Sequence, residues 1–452
     1  MYDIIVIGGG IAGVYTTYEI HKHSPQTKIL LIEKENRLGG RVHTYRDNYM
    51  TVEAGAGRIN GSQPHIMNLI EELGLKSKLK ISESSAVFSP ADFTDSIESS
   101  VSDAPHTKKN RLVGVFPEKM NPLYDNMVDI AFSKGPKILP NTGLILDLVI
   151  ASKIESKHYL QNHTLESFAK KVLNKEQVDY IKRSFGYYSE LVIMNAYDAI
   201  KLLNALGPSN TFYVMNGGLD QIVEKMLDRI SRNKNITVWK GREVSNIKYH
   251  DPLFEIQISS HSMSYYCLKC ICAMPKKNLE KLRIFAPIRS ILKKVECGSL
   301  CRIYSKFDSD KILWFKDLPK MTTDNDLRMI IPINKKEGTI MMSYCDNFYA
   351  DDWQDLYLTK GVKAVNQKLR NDIFESIGQH IPAPKRTKVF YWECGVGYWG
   401  VGADSEKIAK QMIQPFPKIQ LFVCGENFSE NGQQWIEGAL ETSEKVLAIL
   451  SI

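Results

Sequence analysis

The chain of 452 residues lacks long apolar runs. No stretch reaches the ~18 consecutive apolar residues that a membrane-spanning helix needs, so no membrane partner is expected. The first apolar run, Ile4–Ile7, leads directly into glycines, which leaves no room for a signal peptide. Leu450, Ser451 and Ile452 follow a helical pattern with no tail anchor, and a cytoplasmic protein is expected. An excess of one charge is also missing. The net charge of +7 comes from 58 basic and 51 acidic residues, clustered only in short pairs such as Lys108–Lys109 and Lys293–Lys294. Without a basic stripe interleaved with aromatics, no nucleic-acid partner is expected. Metal-ligand spacing is incomplete as well. Cys267-x-x-Cys270 looks like half a zinc site, but no second Cys or His pair stands nearby, so no metal is expected. With Cys272, these residues read as buried thiols on an apolar strand, and the eight cysteines suit a reducing compartment.

What is present is an ordinary globular composition, 43% hydrophobic and 24% charged, long enough for two or three domains. Its first sixty residues carry a connected motif. An apolar strand, Asp3–Ile7, runs into Gly8-Gly9-Gly10-Ile11-Ala12-Gly13, and a helix pattern continues to about Ile20. A second apolar strand, Ile29–Ile32, ends in Glu33. Gly8 makes the tight turn, Gly10 lets a pyrophosphate approach the backbone, and Gly13 lets the helix sit close on the strand. The helix N-terminus offers free N–H groups to phosphates, and Glu33 offers a carboxylate to ribose hydroxyls. Strand, glycines, helix, strand and acid in this order predict a dinucleotide site. The fingerprint alone leaves NAD and FAD both open.

The following residues, Glu33-Lys34-Glu35-Asn36-Arg37-Leu38-Gly39-Gly40-Arg41-Val42, resemble the extension of the flavin-containing amine oxidase family. The resemblance covers most of the chain and points within the family to L-amino-acid oxidases. It implies non-covalent FAD, because Gly397 stands where the monoamine oxidase branch attaches flavin to cysteine. Gly40 and Arg41 would lie on the pyrophosphate, with Arg37 a weaker candidate. The segment Glu53-Ala54-Gly55-Ala56-Gly57-Arg58 would pass beside the flavin, with Arg58 gripping a substrate carboxylate, since arginine recognises carboxylates bidentately. Val244 would lie against adenine. In Phe422-Val423-Cys424-Gly425-Glu426, Gly425 makes a turn and Glu426 reaches the ribityl or pyrophosphate region. Trp435-Ile436-Glu437-Gly438-Ala439 would open the last helix at the flavin pyrimidine end, where its dipole favours negative charge. Tyr398 and Trp435 would wall the substrate amine, and Trp392 would pack near the flavin. Gly186-Tyr187-Tyr188-Ser189 resembles part of the helical insertion of amino-acid oxidases; without the resemblance these tyrosines read as core.

Two positions depart from the family pattern. Arg302 replaces a lysine held by water against flavin N5, and Ile331 replaces a tyrosine that helps hold the carboxylate. Lys306, four strand residues on, lies about 13 Å away and is a poor substitute. Arg302 is a candidate second positive group. The implied fold is α/β: a Rossmann-like FAD domain from residues 1–60, 210–285 and 416–452, a mixed-sheet substrate domain from 61–115 and 286–415, and a helical insertion from 116–209. The implied reaction oxidises the Cα–N bond of an amino acid, with oxygen as acceptor and ammonia and peroxide released. An amine or polyamine oxidase, a flavin desaturase acting on a C–C bond and a non-catalytic FAD protein are the alternatives. A homodimer stays open.

Overall fold

The computed structural model describes residues 1–82, 131–132, 144–205, 211–259, 263–318, 320–323 and 325–452. The polar stretch Asp95–Asn110, expected to be an exposed loop, lies outside them. Strand Tyr2–Ile7 runs parallel to Ile29–Ile32 on one side and to Ser264–Cys272 on the other, inside a seven-stranded sheet. Ile236–Trp239 extends the sheet beyond Ile29–Ile32. The far edge of Ser264–Cys272 is shared: Leu421–Val423 pairs with its end in parallel, and the hairpin Val244–His250/Leu253–Ile258 takes its beginning. The apolar runs are continuous because both faces of the sheet are covered. Ile4 and Val6 enter one core together with Ile29 and Leu31. Ile5, Ile7, Leu30 and Ile32 enter the other. This is the expected α/β architecture, and the chain returns to the sheet from three separate stretches.

Helix Ile11–His23 packs on this sheet beside the last helix, Ile436–Leu450. Ser443 Oγ donates to the Ala12 carbonyl at 3.3 Å. Both helix N-termini therefore open on one cavity, which is lined by Gly10 and Ile11 from one helix and Trp435 and Ile436 from the other.

Among the described residues the second large sheet has six strands, and its longest pair is Val295–Lys306 with Arg386–Trp399, antiparallel. Two helices merged across a kink at Gly361, Asn347–Ile377, cover one face through Trp353, Val365, Leu369 and Ile373. The short strand Ala131–Phe132 forms the outer edge, pairing with Met321–Thr323; it falls inside the range expected to be a helical insertion. From Leu144 to Ala205 the chain is a cluster of six helices. Several carry side-chain N-caps, with a capping box at Asn174 satisfying the otherwise unpaired first-turn N–H groups. The core of this cluster includes Tyr398 from the sheet and packs against Trp435, so the helices rest on the expected substrate aromatics.

One expectation is corrected. Cys297 and Cys394 form a disulfide, while the other six cysteines are free and buried. The two residues stand on adjacent antiparallel strands around a register shift between Gly298 and Leu300. Pairing brings their Cα atoms to 4.9 Å, within bonding range. Cysteine usage therefore no longer argues for a reducing compartment. Cys267, Cys270 and Cys272 are buried thiols, as expected. Among the described residues there is no metal-ligand cluster, and no helix is long and apolar enough to cross a membrane.

Candidate functional site

A cavity of about 1350 Å³ runs between the two sheets. That exceeds the ~300–1,000 Å³ of a usual small-molecule pocket and leaves room for a dinucleotide beside a substrate. Gly8, Gly10, Glu33, Gly40, Arg41 and Val244 line one part of it. Gly8 adopts φ +108°, a conformation favouring glycine. Gly13 lies beneath the turn, where any Cβ would strike the Gly8 carbonyl oxygen. Gly10 is different. A Cβ there would meet only Gly40 Cα at 3.9 Å, so it would project into the space that a phosphate needs.

Glu33 holds this turn as well as facing the cavity. Its carboxylate accepts from Gly9 N–H at 2.6 Å and Glu35 N–H at 2.8 Å. Arg41 donates to the Glu426 carboxylate at 2.5 Å and to the Gly395 carbonyl at 2.9 Å. Glu426 also accepts from the N–H groups of Gly397, at 3.2 Å, and Gln434, at 2.9 Å, and from the Asn427 amide. It faces the cavity but serves first to fix Arg41 and the start of the last helix. Gly425 supplies the turn behind the wall, with φ +133° and its N–H donated to Thr442 Oγ1 at 2.8 Å. Arg37 also stands off the wall, its guanidinium 5.7 Å from the Trp392 ring. Trp392 lines the cavity and donates to the Ala54 carbonyl at 2.7 Å.

These residues fit FAD on two independent grounds: Gly10 leaves the phosphate approach open, and Gln434 presents an amide. Gln434 lines the cavity at the foot of the last helix, and its buried side-chain nitrogen has no hydrogen-bond partner among the described residues. A buried donor left unpaired is costly, and a polar heterocycle would satisfy it.

The other part of the cavity gathers residues from distant segments. Arg58 donates to Tyr187 Oη at 2.8 Å and lies 4.5 Å from the Phe212 ring centroid and 6.0 Å from that of Trp435. Phe212 and Trp435 stack at 5.9 Å. Tyr398 lines the cavity too, at 2% exposure, with its ring against Gly298. Tyr398 and Trp435 thus reach the same space, with Phe212 as a further ring. Arg302 donates to the Glu53 carbonyl at 3.1 Å and lies 4.7 Å from the Tyr344 ring. Gly57 makes room for it, since a Cβ there would meet Arg302 Nη1 at 2.8 Å. Burial opposes the Arg302 charge, but the Tyr304 and Tyr344 phenols outweigh it and hold the guanidinium above its usual range.

Five residues here escaped sequence reasoning as site residues: Tyr187, Glu190, Phe212, Lys320 and Tyr344. Only Tyr187 stood in a string that carried any signal. Ile331 does line the cavity, and Tyr344 on the neighbouring strand brings a phenol to the same wall. Burial pushes the Tyr187 phenol up to about 12, so it is neutral and can accept from Arg58. Burial, with the Asp346 carboxylate nearby, pushes the Glu190 carboxyl well above its usual range. Burial and then Arg58 push the Lys320 ammonium well below its own. The second sheet positions these groups. Arg328, 1% exposed, donates to the carbonyls of Lys182, Arg183 and Phe185. Asp346 accepts from the N–H groups of Tyr188 and Ser189 at 3.1 and 2.8 Å.

The model of the flavin containing amine oxidoreductase family matches residues 11–446 of this chain. The chain belongs to that family. As a flavin-containing amine oxidoreductase it is an FAD-dependent enzyme of the amine-oxidase type. An uncharacterized protein of Acanthamoeba polyphaga mimivirus is 21% identical over 98% of this chain and 93% of its own length. Amine oxidase A of Canis lupus familiaris is 23% identical, covering 68% of this chain and 57% of that protein. The flavin-dependent L-tryptophan oxidase of Lentzea aerocolonigenes is 40% identical over 17% of each. A putrescine oxidase variant shares the fold, with a TM-score of 0.71 at 12% identity over 100% of this chain and 99% of its own.

Proposed function

We propose that this amine oxidoreductase oxidises the Cα–N bond of an L-amino acid, giving an imine that water converts to a 2-oxo acid and ammonia, with oxygen as acceptor and hydrogen peroxide as its product. The observation that carries the reading is Arg58. Its guanidinium lines the cavity, is oriented by Tyr187 and Phe212, and has no carboxylate partner among the described residues. A fork held in this way matches a substrate carboxylate. The similarity to an L-tryptophan oxidase over part of the chain points the same way.

When bound, FAD supplies the two-electron acceptor. The remaining tasks fall to the protein. Arg58 would bind and orient the carboxylate, and Tyr187 would keep Arg58 in place. Trp435, Phe212 and Tyr398 would exclude water around the amine as its charge is lost. Lys320, with its ammonium disfavoured, is the group on this wall suited to take the ammonium proton of the incoming amine.

Glu190 favours a second reading, oxidation of a diamine, because a cavity carboxyl could pair with a distal ammonium. Product analysis separates the readings. L-Amino acids are expected to yield 2-oxo acid, ammonia and peroxide in equal amounts. Turnover of diamines alone would overturn the proposal, and peroxide without ammonia would favour C–C desaturation.

A further inference from the structure

Arg58 and Arg302 both line the cavity, and neither forms an ion pair with a carboxylate among the described residues. They flank one aromatic pair: Arg58 bonds Tyr187, Arg302 lies against Tyr344, and the two rings meet edge to face at 6.0 Å. The nearby acids form no ion pair with them among the described residues, and burial raises the Glu53 carboxyl above its usual range. Glu53 gives its two carboxylate oxygens to Leu219 N–H and Thr44 Oγ1, both at 2.8 Å. The Glu190 carboxyl is held toward its neutral form by burial and by Asp346. Arginine does not shed its proton in proteins; the Tyr304 and Tyr344 phenols sustain the Arg302 charge in the cavity, and a carboxylate would pair with it more strongly than a neutral phenol does. The phosphates of a dinucleotide have other donors, the glycine turn and Arg41. Two positive groups on the remaining wall therefore await negative charge from elsewhere.

Building on the amino-acid reading, we propose that the preferred substrate carries two carboxylates, one held by Arg58 and the other by Arg302. An amino acid with a neutral side chain would leave one guanidinium unpaired, and a diamine would bring like charge to both. This assigns Arg302 a specificity role at a position where the family pattern has lysine.

The test uses the FAD-loaded enzyme, mixed anaerobically with L-aspartate, L-glutamate, L-asparagine, L-glutamine, L-leucine and putrescine, with bleaching of the flavin band followed. One of the acids is expected to exceed its amide in reduction rate over Kd by at least about 30-fold, the scale of one charge-assisted pair. Succinate or glutarate is expected to perturb the oxidised flavin spectrum at lower concentration than butyrate. Arg302→Leu is expected to reduce the acid-to-amide ratio at least about tenfold, with FAD content confirming that the variant is folded. Amides or leucine equal to the acids would overturn this inference and leave the amino-acid reading standing. An unchanged ratio in Arg302→Leu would overturn it too. Bleaching by putrescine alone, or by nothing in the panel, would overturn both.

Discussion

Replacing Gly10 and Gly13 by alanine, one at a time, separates cofactor binding from folding. The two glycines stand three residues apart in the same turn but meet different surroundings. A Cβ on Gly13 would run into the Gly8 carbonyl oxygen, and it would lie 3.1 Å from Gly8 C and 3.2 Å from Ala273 Cβ. The obstacle is mostly backbone, so strand and helix must separate. Overpacking of this kind costs about 3 kcal/mol, the upper part of its usual range. Gly10 has φ −71° and ψ −179°, which alanine adopts without strain, and only Gly40 Cα lies near, at 3.9 Å. The cost to the FAD-free fold is the loss of a tolerated N-cap residue, under about 1 kcal/mol. The added methyl would stand in the phosphate approach and is expected to weaken FAD at least about tenfold, or roughly 1.4 kcal/mol. Urea unfolding of the FAD-free proteins and fluorescence titration with FAD measure the two effects. Gly10→Ala binding FAD like the wild type, or Gly13→Ala unfolding like the wild type, would refute the reasoning.

Other consequences follow from the substrate end. Tyr187→Phe removes the acceptor that orients Arg58 and is expected to weaken carboxylate binding about tenfold, near 1.4 kcal/mol, in spectral titrations with amino-acid analogues. Arg328→Met strips three backbone carbonyls of their donor and is expected to cost about 3 kcal/mol in chemical unfolding, loosening the segment that carries Tyr187. The raised Glu190 carboxyl binds its proton more tightly folded than unfolded, so its contribution to stability falls as pH rises above its ordinary value of 4.5. Glu190→Gln should therefore flatten the decline of FAD-free stability from about pH 5 upward; an unchanged slope would contradict the assignment. Alkylation of the unreduced, denatured protein followed by mass measurement should label six cysteines and spare Cys297 and Cys394; eight labels would show the disulfide absent.

The cofactor half was legible because its signals are local. Strand, glycine turn, helix and Glu33 fall within one short stretch, and steric need at Gly8 and Gly13 ties residue type to conformation. The last helix was equally clear, with Trp435 at its start. The substrate half was not legible in the same way. Tyr187 and Glu190 come from one short helical segment, Phe212 and Tyr344 from two strands and Lys320 from a loop, and their meeting depends on the order of two sheets. Tyr187 in isolation reads as core, and its hydrogen bond to Arg58 spans 129 positions. The disulfide was hidden for the same reason, its partners lying 97 residues apart and meeting only through strand register. The covering helices Asn347–Ile377 show only a thin apolar stripe and are broken at Gly361, which blunts the helical pattern.

The most direct test of the account compares each L-amino acid with the amine left by removing its carboxylate, in anaerobic single-turnover reduction of the wild-type enzyme and of Arg58→Met. The account predicts that amino acids bleach the wild-type flavin far faster than the matching amines, and that Arg58→Met abolishes the difference. Equal bleaching by both members of each pair in the wild type, or a preference that survives in Arg58→Met, would contradict it.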